Sequence, residues 1–200
     1  MNNIIKIAAV IIIMAAFLST STQAADTSFE LNVGSHNVEG RIDVKINPFE
    51  TPLTVGGGFI YKDDSEEYWL ANANAALKDE VFTPGLSLGV GLKGVFGKTD
   101  FITGEKDTFA LPFLFLGDFD FRKTSLNIPV SITANIAYAP DVLSFSDTKR
   151  YFEFYTAGYF HINYFAALFV GYRNIDIDYK SGGSNELSDD TFYFGVRMSF

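Results

Sequence analysis

No cysteine occurs in the chain, which excludes a disulfide framework and a thiolate metal site. Basic residues are scarce. Residues 25–200 carry 14 of them against 24 acidic ones, a net −10, and the only charged residue before them is Lys6. That balance argues against nucleic acid, whose phosphates need a basic face. Long hydrophobic runs are also lacking beyond residue 24. The nearest, Tyr164 to Val170, is closed by Gly171, whereas a spanning helix needs about 20 apolar residues. If this part crosses a membrane it does so with strands, and only a closed barrel leaves no strand edge unpaired in lipid.

What is abundant is aromatic. Phe, Tyr and Trp make up 16 % of the chain, with 21 phenylalanines, while charged residues reach only 20 %. A core of this size cannot bury so much apolar surface, so part of it must face something other than water, and lipid is the natural candidate. At the front, Lys6 and the amino terminus precede the apolar stretch Ile7 to Leu18, followed by the small and polar Ser19 to Ala24. This pattern predicts a secretory signal peptide over 1–24, cleaved after Ala24, with Thr22 and Ala24 at the two small positions that signal peptidase reads. Residues 25–200 are then the exported domain.

That domain alternates. In Leu126 to Tyr138 the even positions Leu126, Ile128, Val130, Ile132, Ala134, Ile136 and Tyr138 are apolar, and the odd ones are small and mostly polar. A period of two is a strand signature, and the length suits a tilted bilayer crossing of about 9–11 residues. The same pattern runs through 53–62, 68–77, 86–97 and 192–200. Looser versions cover Phe109 to Phe121, Tyr151 to Phe160 and Tyr164 to Ile177, and a short front pair lies around Phe29 to Val33 and Ile42 to Ile46. All of these together predict an all-β, transmembrane, antiparallel up-and-down barrel of ten strands; without the front pair there are eight. Pro112 and Pro129 fall inside two of these strands and each removes a ladder donor.

The non-apolar face separates lipid from water. A soluble sandwich wets that face with Lys, Glu and Asp, but here it is mainly Gly, Ser, Ala, Asn and Thr. Small polar side chains suit the inside of a narrow barrel. Longer polar connections (62–66, 98–106, 140–149, 180–190) alternate with tighter ones (47–51, 122–124, 161–163), the asymmetry expected of outer loops and periplasmic turns. Trp69 and Tyr61, Tyr68, Tyr138, Tyr151, Tyr172 and Tyr179 sit near predicted strand ends, where aromatic girdles meet the lipid–water boundary. The last strand carries Phe192, Phe194, Val196, Met198 and Phe200 at every second position and ends on Phe200, a pattern similar to the assembly signal that barrel-insertion machinery reads.

The segments Phe82-Thr83-Pro84-Gly85-Leu86-Ser87-Leu88-Gly89, Val170-Gly171-Tyr172-Arg173-Asn174-Ile175 and Phe194-Gly195-Val196-Arg197-Met198-Ser199-Phe200 resemble the YfaZ family of outer-membrane proteins over roughly residues 53 to 200. The resemblance implies a small barrel in the outer membrane and carries no defined activity with it. The Phe-rich stretches Phe109–Phe121 and Tyr151–Phe169 depart from the more Gly- and Ala-rich family pattern.

Charged residues predicted to point inward are Lys93, Asp118, Asp120, Glu153, Arg173 and Arg197. They line a selective narrow pore or pair with one another in a plugged barrel, and an unpaired buried charge is expensive enough to favour pairing. A lipid-acting enzyme needs a base with an orienting partner. Of the two histidines, His161 is expected in a short turn and His36 beside Ser35 in the first loop, with no acid constellation. Two acidic loops, at Asp63, Asp64, Glu66 and Glu67 and at Asp189 and Asp190, match no defined calcium loop, and a solvated loop is the plainer reading. The expectation is a non-catalytic outer-membrane protein without cofactor or metal, in contact with outer-membrane lipid and lipopolysaccharide, and of undetermined oligomeric state.

Overall fold

A computed structural model describes residues 26–48, 51–64, 67–101, 104–180 and 186–200. The expected signal peptide and Glu66 lie outside the described residues. Twelve strands follow one another: β1 Asp26–Gly34, β2 Asn37–Ile46, β3 Leu53–Lys62, β4 Glu67–Glu80, β5 Leu86–Phe101, β6 Gly104–Ala110, β7 Phe113–Asp120, β8 Val130–Ala139, β9 Ser144–Ser146, β10 Thr148–His161, β11 Ala166–Tyr179 and β12 Glu186–Ser199. Two of them are continuations. β6 and β7 lie end to end beside β5, separated by Leu111 and Pro112. β9 continues β8 beyond Pro140 and a 3-10 turn at Asp141–Leu143, and pairs with β6. The result is ten staves, each antiparallel to its neighbours. β1 pairs with β12 from Ser28↔Ser199 to Gly34↔Tyr193, so the barrel is closed. The front pair completes the ten.

Polarity is inverted relative to a water-soluble fold. Outward-facing Leu88, Val90 and Leu92 on β5 are 45 %, 58 % and 56 % exposed, while inward-facing Glu30, Glu39 and Arg173 are 1–2 % exposed. The outward apolar positions run from Leu86 to Phe96 on β5 and from Phe192 to Phe200 on β12, close to one bilayer crossing. Above this belt, at the end opposite the termini, the strands continue with polar residues on their outer face, such as Lys98 and Asp100 on β5 and Asp176 and Asp178 on β11.

Several expected boundaries move. The strand expected to begin at Leu126 begins at Val130; Leu126 to Pro129 form a turn in which Asn127 takes φ 45°. Pro129 therefore precedes the strand, and its carbonyl accepts from His161 N at 2.8 Å. Pro112 sits at the break between β6 and β7, where its missing donor is harmless and its carbonyl accepts from Lys93 N at 3.0 Å. Within the expected loops, residues 98–101, 104–106 and 186–190 are strand, because β5, β6 and β12 rise beyond the apolar belt, where nothing apolar marks the outer face. In the segment resembling the family motif, Thr83 to Gly85 make the β4–β5 turn. Gly85 takes φ 92°, and a side chain there would press on the Asp120 carbonyl at 2.5 Å.

Candidate functional site

The interior of the barrel is the candidate site. Its loop end is filled. Tyr68, Leu70, Tyr151, Ile175, Ile177 and Leu187 are all under 2 % exposed and belong to one packed cluster with Ile60, Val95, Ala110, Ala137 and Ala139. Below that cluster runs a band of compensated charge. Arg173 donates from Nη1 to Glu39 Oε2 at 2.7 Å, and Asn32 Nδ2 and Arg41 Nη2 reach the same carboxylate at 2.9 Å each. Asp189 holds Lys62 Nζ at 2.6 Å and the Tyr68 hydroxyl at 2.7 Å. Lys93 Nζ lies 2.5 Å from Glu153 Oε2, which also accepts from the Tyr151 hydroxyl.

The terminal half is lopsided. On β10, β11 and β12, Tyr155, Tyr159, Phe169 and Tyr193 pack together. The guanidinium groups of Arg41 and Arg197 lie 4.2 and 4.0 Å from the centres of the Tyr155 and Tyr159 rings, a cation–π arrangement worth more when desolvated. Glu30, 1 % exposed, pairs with Arg197 and accepts from the Tyr159 hydroxyl at 3.0 Å. The facing wall presents Gly56 and Gly58 on β3, Asn72 and Asn74 on β4, Gly89 and Gly91 on β5, and Thr133 and Asn135 on β8. These small residues leave a cavity of about 430 Å³ whose lining runs from Asp26, Lys45 and Lys123 at the terminal mouth to Lys93, Glu153 and Leu114 at its floor.

All six charged residues expected to point inward are engaged. Only Lys93 and Glu153 find each other. Asp118 takes Lys78 at 2.8 Å and the Thr133 hydroxyl. Asp120 holds Arg122 through the backbone N and both Nε and Nη2, and so caps the 3-10 turn Phe121–Lys123. Arg173 and Arg197 find Glu39 and Glu30. Those two acids, together with Arg41, Lys62 and Asp189, are inward charges that the sequence pattern does not single out. The signal is present on β2, where Glu39, Arg41, Asp43 and Lys45 alternate with Val38, Gly40, Ile42 and Val44, but Gly40 interrupts the apolar face, so the pattern marks the strand only from Ile42. Asp189, expected in an acidic loop, is an inward residue of β12, and Asp190 is its outward neighbour.

Other expectations need correction. Tyr68, Tyr151 and Tyr179, expected in a lipid-facing girdle, point into the lumen and are buried. Tyr61, Trp69, Tyr138 and Tyr172 face outward. His161 is the last residue of β10 rather than a turn residue, and its Nε2 lies 2.8 Å from Ser131 Oγ at the cavity wall. Both oxygens of the nearby Asp120 are taken by Arg122, and among the described residues no carboxylate accepts a hydrogen bond from the imidazole. The pair lacks the orienting acid that a base and nucleophile require. His36 is exposed in the β1–β2 turn. No group of His, Asp and Glu among the described residues is arranged to hold a metal ion. Phe192, Phe194, Val196 and Met198 lie on the outer face of β12, and Phe200, exposed, follows the strand's end.

Fold and lumen together define a closed ten-stranded barrel with an apolar outer wall and a charge-paired interior. The family description "YfaZ precursor" matches residues 3–200, and the chain belongs to the YfaZ family. No curated protein matches. Among solved structures, the chain is similar to Neisserial surface protein A (14 % identity, covering 88 % of this chain and 94 % of that one, TM-score 0.37). It is also similar to the KdgM porin in complex with disordered oligogalacturonate (10 %, 88 % and 99 %, TM-score 0.42) and to the NanC porin (10 %, 88 % and 100 %, TM-score 0.35).

Proposed function

We propose that this protein is an integral outer-membrane barrel without catalytic activity, with a structural or interaction role and with both termini on the periplasmic side. One observation carries the reading: large apolar side chains are exposed around the outer wall, while charged residues such as Glu30, Glu39, Glu153 and Arg173 are buried and paired inside. Water would penalise such a surface, and hydrocarbon solvates it. Outward Phe200 and its alternating neighbours support recognition by barrel-insertion machinery, and the polar outer faces above the belt suit contact with lipopolysaccharide headgroups. Cell fractionation combined with heat-modifiable gel mobility tests location and closure together. Recovery in the soluble periplasmic fraction without detergent overturns the proposal.

The cavity favours a second reading, a narrow passive pore. Against it stands the filled loop end, where Leu70, Ile175 and Ile177 close the lumen. In planar bilayers the wild-type barrel is expected to give no discrete conductance steps, while Leu70→Gly combined with Ile177→Gly opens a path. Regular steps from the unaltered protein establish the pore reading in place of the sealed one.

A further inference from the structure

We propose that the open edge of β12 at the loop end is a docking site for an extended cationic peptide segment, which adds to the sheet as a further strand. The inference rests on the interaction role proposed above and gives it a surface and a partner chemistry. Its basis is a step in the barrel wall at the seam. β1 and β12 pair only as far as Gly34↔Tyr193, where the chain turns through Ser35 and His36 into β2. β12 rises beyond that turn to Glu186, paired with β11 alone. At about 3.3 Å per residue the stretch 186–191 is an unpaired edge roughly 20 Å long.

The ladder fixes which backbone groups this edge presents. Phe200 exchanges both of its backbone bonds with Thr27 of β1, at 2.8 and 3.1 Å, whereas Ser199 N donates to the Phe165 carbonyl on the β11 side at 2.8 Å. Even-numbered residues of β12 therefore aim N–H and C=O at β1, and odd-numbered ones at β11. Above Tyr193 the even set continues with Asp190, Ser188 and Glu186, whose backbone groups have no strand beside them among the described residues. All three residues are exposed. The odd set holds the strand in place from within: Leu187, Asp189 and Thr191 are buried, and Asp189 takes Lys62 and Tyr68 from across the lumen at 2.6 and 2.7 Å. A preformed, exposed edge is a template for strand addition, in which main-chain bonds supply affinity and alternate side chains supply specificity.

Charge selects the partner. Outward Glu186 and Asp190 on the edge, and Asp176 beside them on β11, have no ion pair among the described residues. Asp190 accepts only from the Tyr172 hydroxyl and from Asn174 Nδ2 at 3.1 Å, and Asp176 accepts from the Ser188 hydroxyl at 2.7 Å and from Asn174 Nδ2 at 3.5 Å, all neutral donors. Below the step, Asp63 N donates to the His36 carbonyl at 3.1 Å, so the acidic β3–β4 connection with Asp63 and Asp64 lies against the β1–β2 turn. The cations of this region are spent: Lys62 on Asp189 at 2.6 Å and Arg150 on Asp178 at 2.9 Å. A strand laid along the edge places its outward side chains opposite Glu186 and Asp190, where opposite charges stabilise and like charges repel. Lysine or arginine at alternate positions meets both acids. A second copy of this chain would bring the same acids face to face, which disfavours pairing of the barrel with itself.

The test is titration of the folded barrel in zwitterionic detergent with a short blocked peptide of alternating lysine and threonine, followed by amide chemical shifts and hydrogen exchange. Saturable binding is expected, with exchange slowed at the Ser188 and Asp190 amides and affinity falling as salt is raised. Ser188→Pro removes an edge donor that the β11 ladder does not use and abolishes binding, while Ser188→Ala retains it. Glu186→Gln combined with Asp190→Asn weakens binding about fivefold. The same peptide N-methylated at alternate amides, or with glutamate in place of lysine, does not bind. Heat-modifiable mobility and detergent dependence, read on the same samples, report the outer-membrane barrel separately from its edge. Absence of saturable binding to a closed barrel, equal binding of the N-methylated or glutamate peptide, or indifference to Ser188→Pro overturns the proposal. Self-association of the barrel that Ser188→Pro relieves assigns the edge to a second copy and overturns it as well.

Discussion

Replacing Glu39 tests whether the lumen is held together by charge pairing. Arg173 is 1 % exposed and its nearest acid is Glu39 at 2.7 Å; the next, Asp189, is 3.8 Å away and already engaged by Lys62 and Tyr68. Glu39→Leu therefore leaves a guanidinium in the interior without an adequate counter-charge, a change that destabilises by about 3–5 kcal/mol. Arg173→Met is milder, because Glu39 keeps Arg41 and Asn32 at 2.9 Å each; a loss of about 1–2 kcal/mol is expected. The double variant removes both charges and fills their space with apolar atoms, so it recovers about 2 kcal/mol or more relative to Glu39→Leu. Urea unfolding of the barrel in vesicles, followed by the fluorescence of Trp69, the one tryptophan in the chain, reads all three. Two small and equal single effects that simply add in the double variant would refute the argument and point to a hydrated, uncoupled lumen.

Two further substitutions probe the wall. Val90→Arg, on the outer face of β5, is expected to destabilise the vesicle-embedded barrel by about 2–4 kcal/mol if Val90 sits in hydrocarbon. Asp176→Lys, above the belt, stays within about 0.5 kcal/mol, and an equal, negligible effect at both positions excludes a lipid-facing wall. Gly91→Ala places a methyl group against the Ala75 carbonyl and 2.6 Å from the Ala76 Cβ, and is expected to cost about 1–3 kcal/mol through overpacking. At Gly158, where nothing lies within 4 Å of such a group, the same change is neutral, and urea midpoints compare the two directly.

The fold was legible because a barrel wall has a simple code: the period-two pattern appears wherever one face meets an apolar medium and the other a crowded interior. Strands such as β5, β8 and β12 carry it almost without exception. It fades where the medium changes. Beyond the belt, Asp176, Asp178, Ser188 and Asp190 face outward into water, so alternation no longer distinguishes strand from loop, and the first residues of β12 read as a connection. It is also ambiguous at turns, where Leu126 and Ile128 continue the beat after the chain has left the sheet.

The site was less legible for a related reason. Inward charges are legible inside segments that read as strands, but several of their partners (Glu39, Arg41 and Asp189) lie beyond the ends of those segments. Glu30 and Glu39 sit on a front pair whose outer face is interrupted by Gly40. Nor could a linear pattern say which tyrosines turn inward. Tyr68 and Tyr151 are amphipathic, with a ring that packs in the lumen and a hydroxyl that reaches Asp189 or Glu153, and such residues suit either face of the wall.

The seam between β1 and β12 bears on how such a molecule comes into being. Thr27 N donates to the Phe200 carbonyl at 3.1 Å and Phe200 N to the Thr27 carbonyl at 2.8 Å, while Glu30 meets Arg197 just inside. The first described strand thus waits for Phe200 to be made before the ring can shut. Every intermediate on the way carries two open edges, and joining them means gathering almost the whole length of the polypeptide, the slowest kind of contact to form. Closure of the ring is therefore the step that depends on the most distant contacts in the sheet, and removing β1 or β12 takes away one side of that seam.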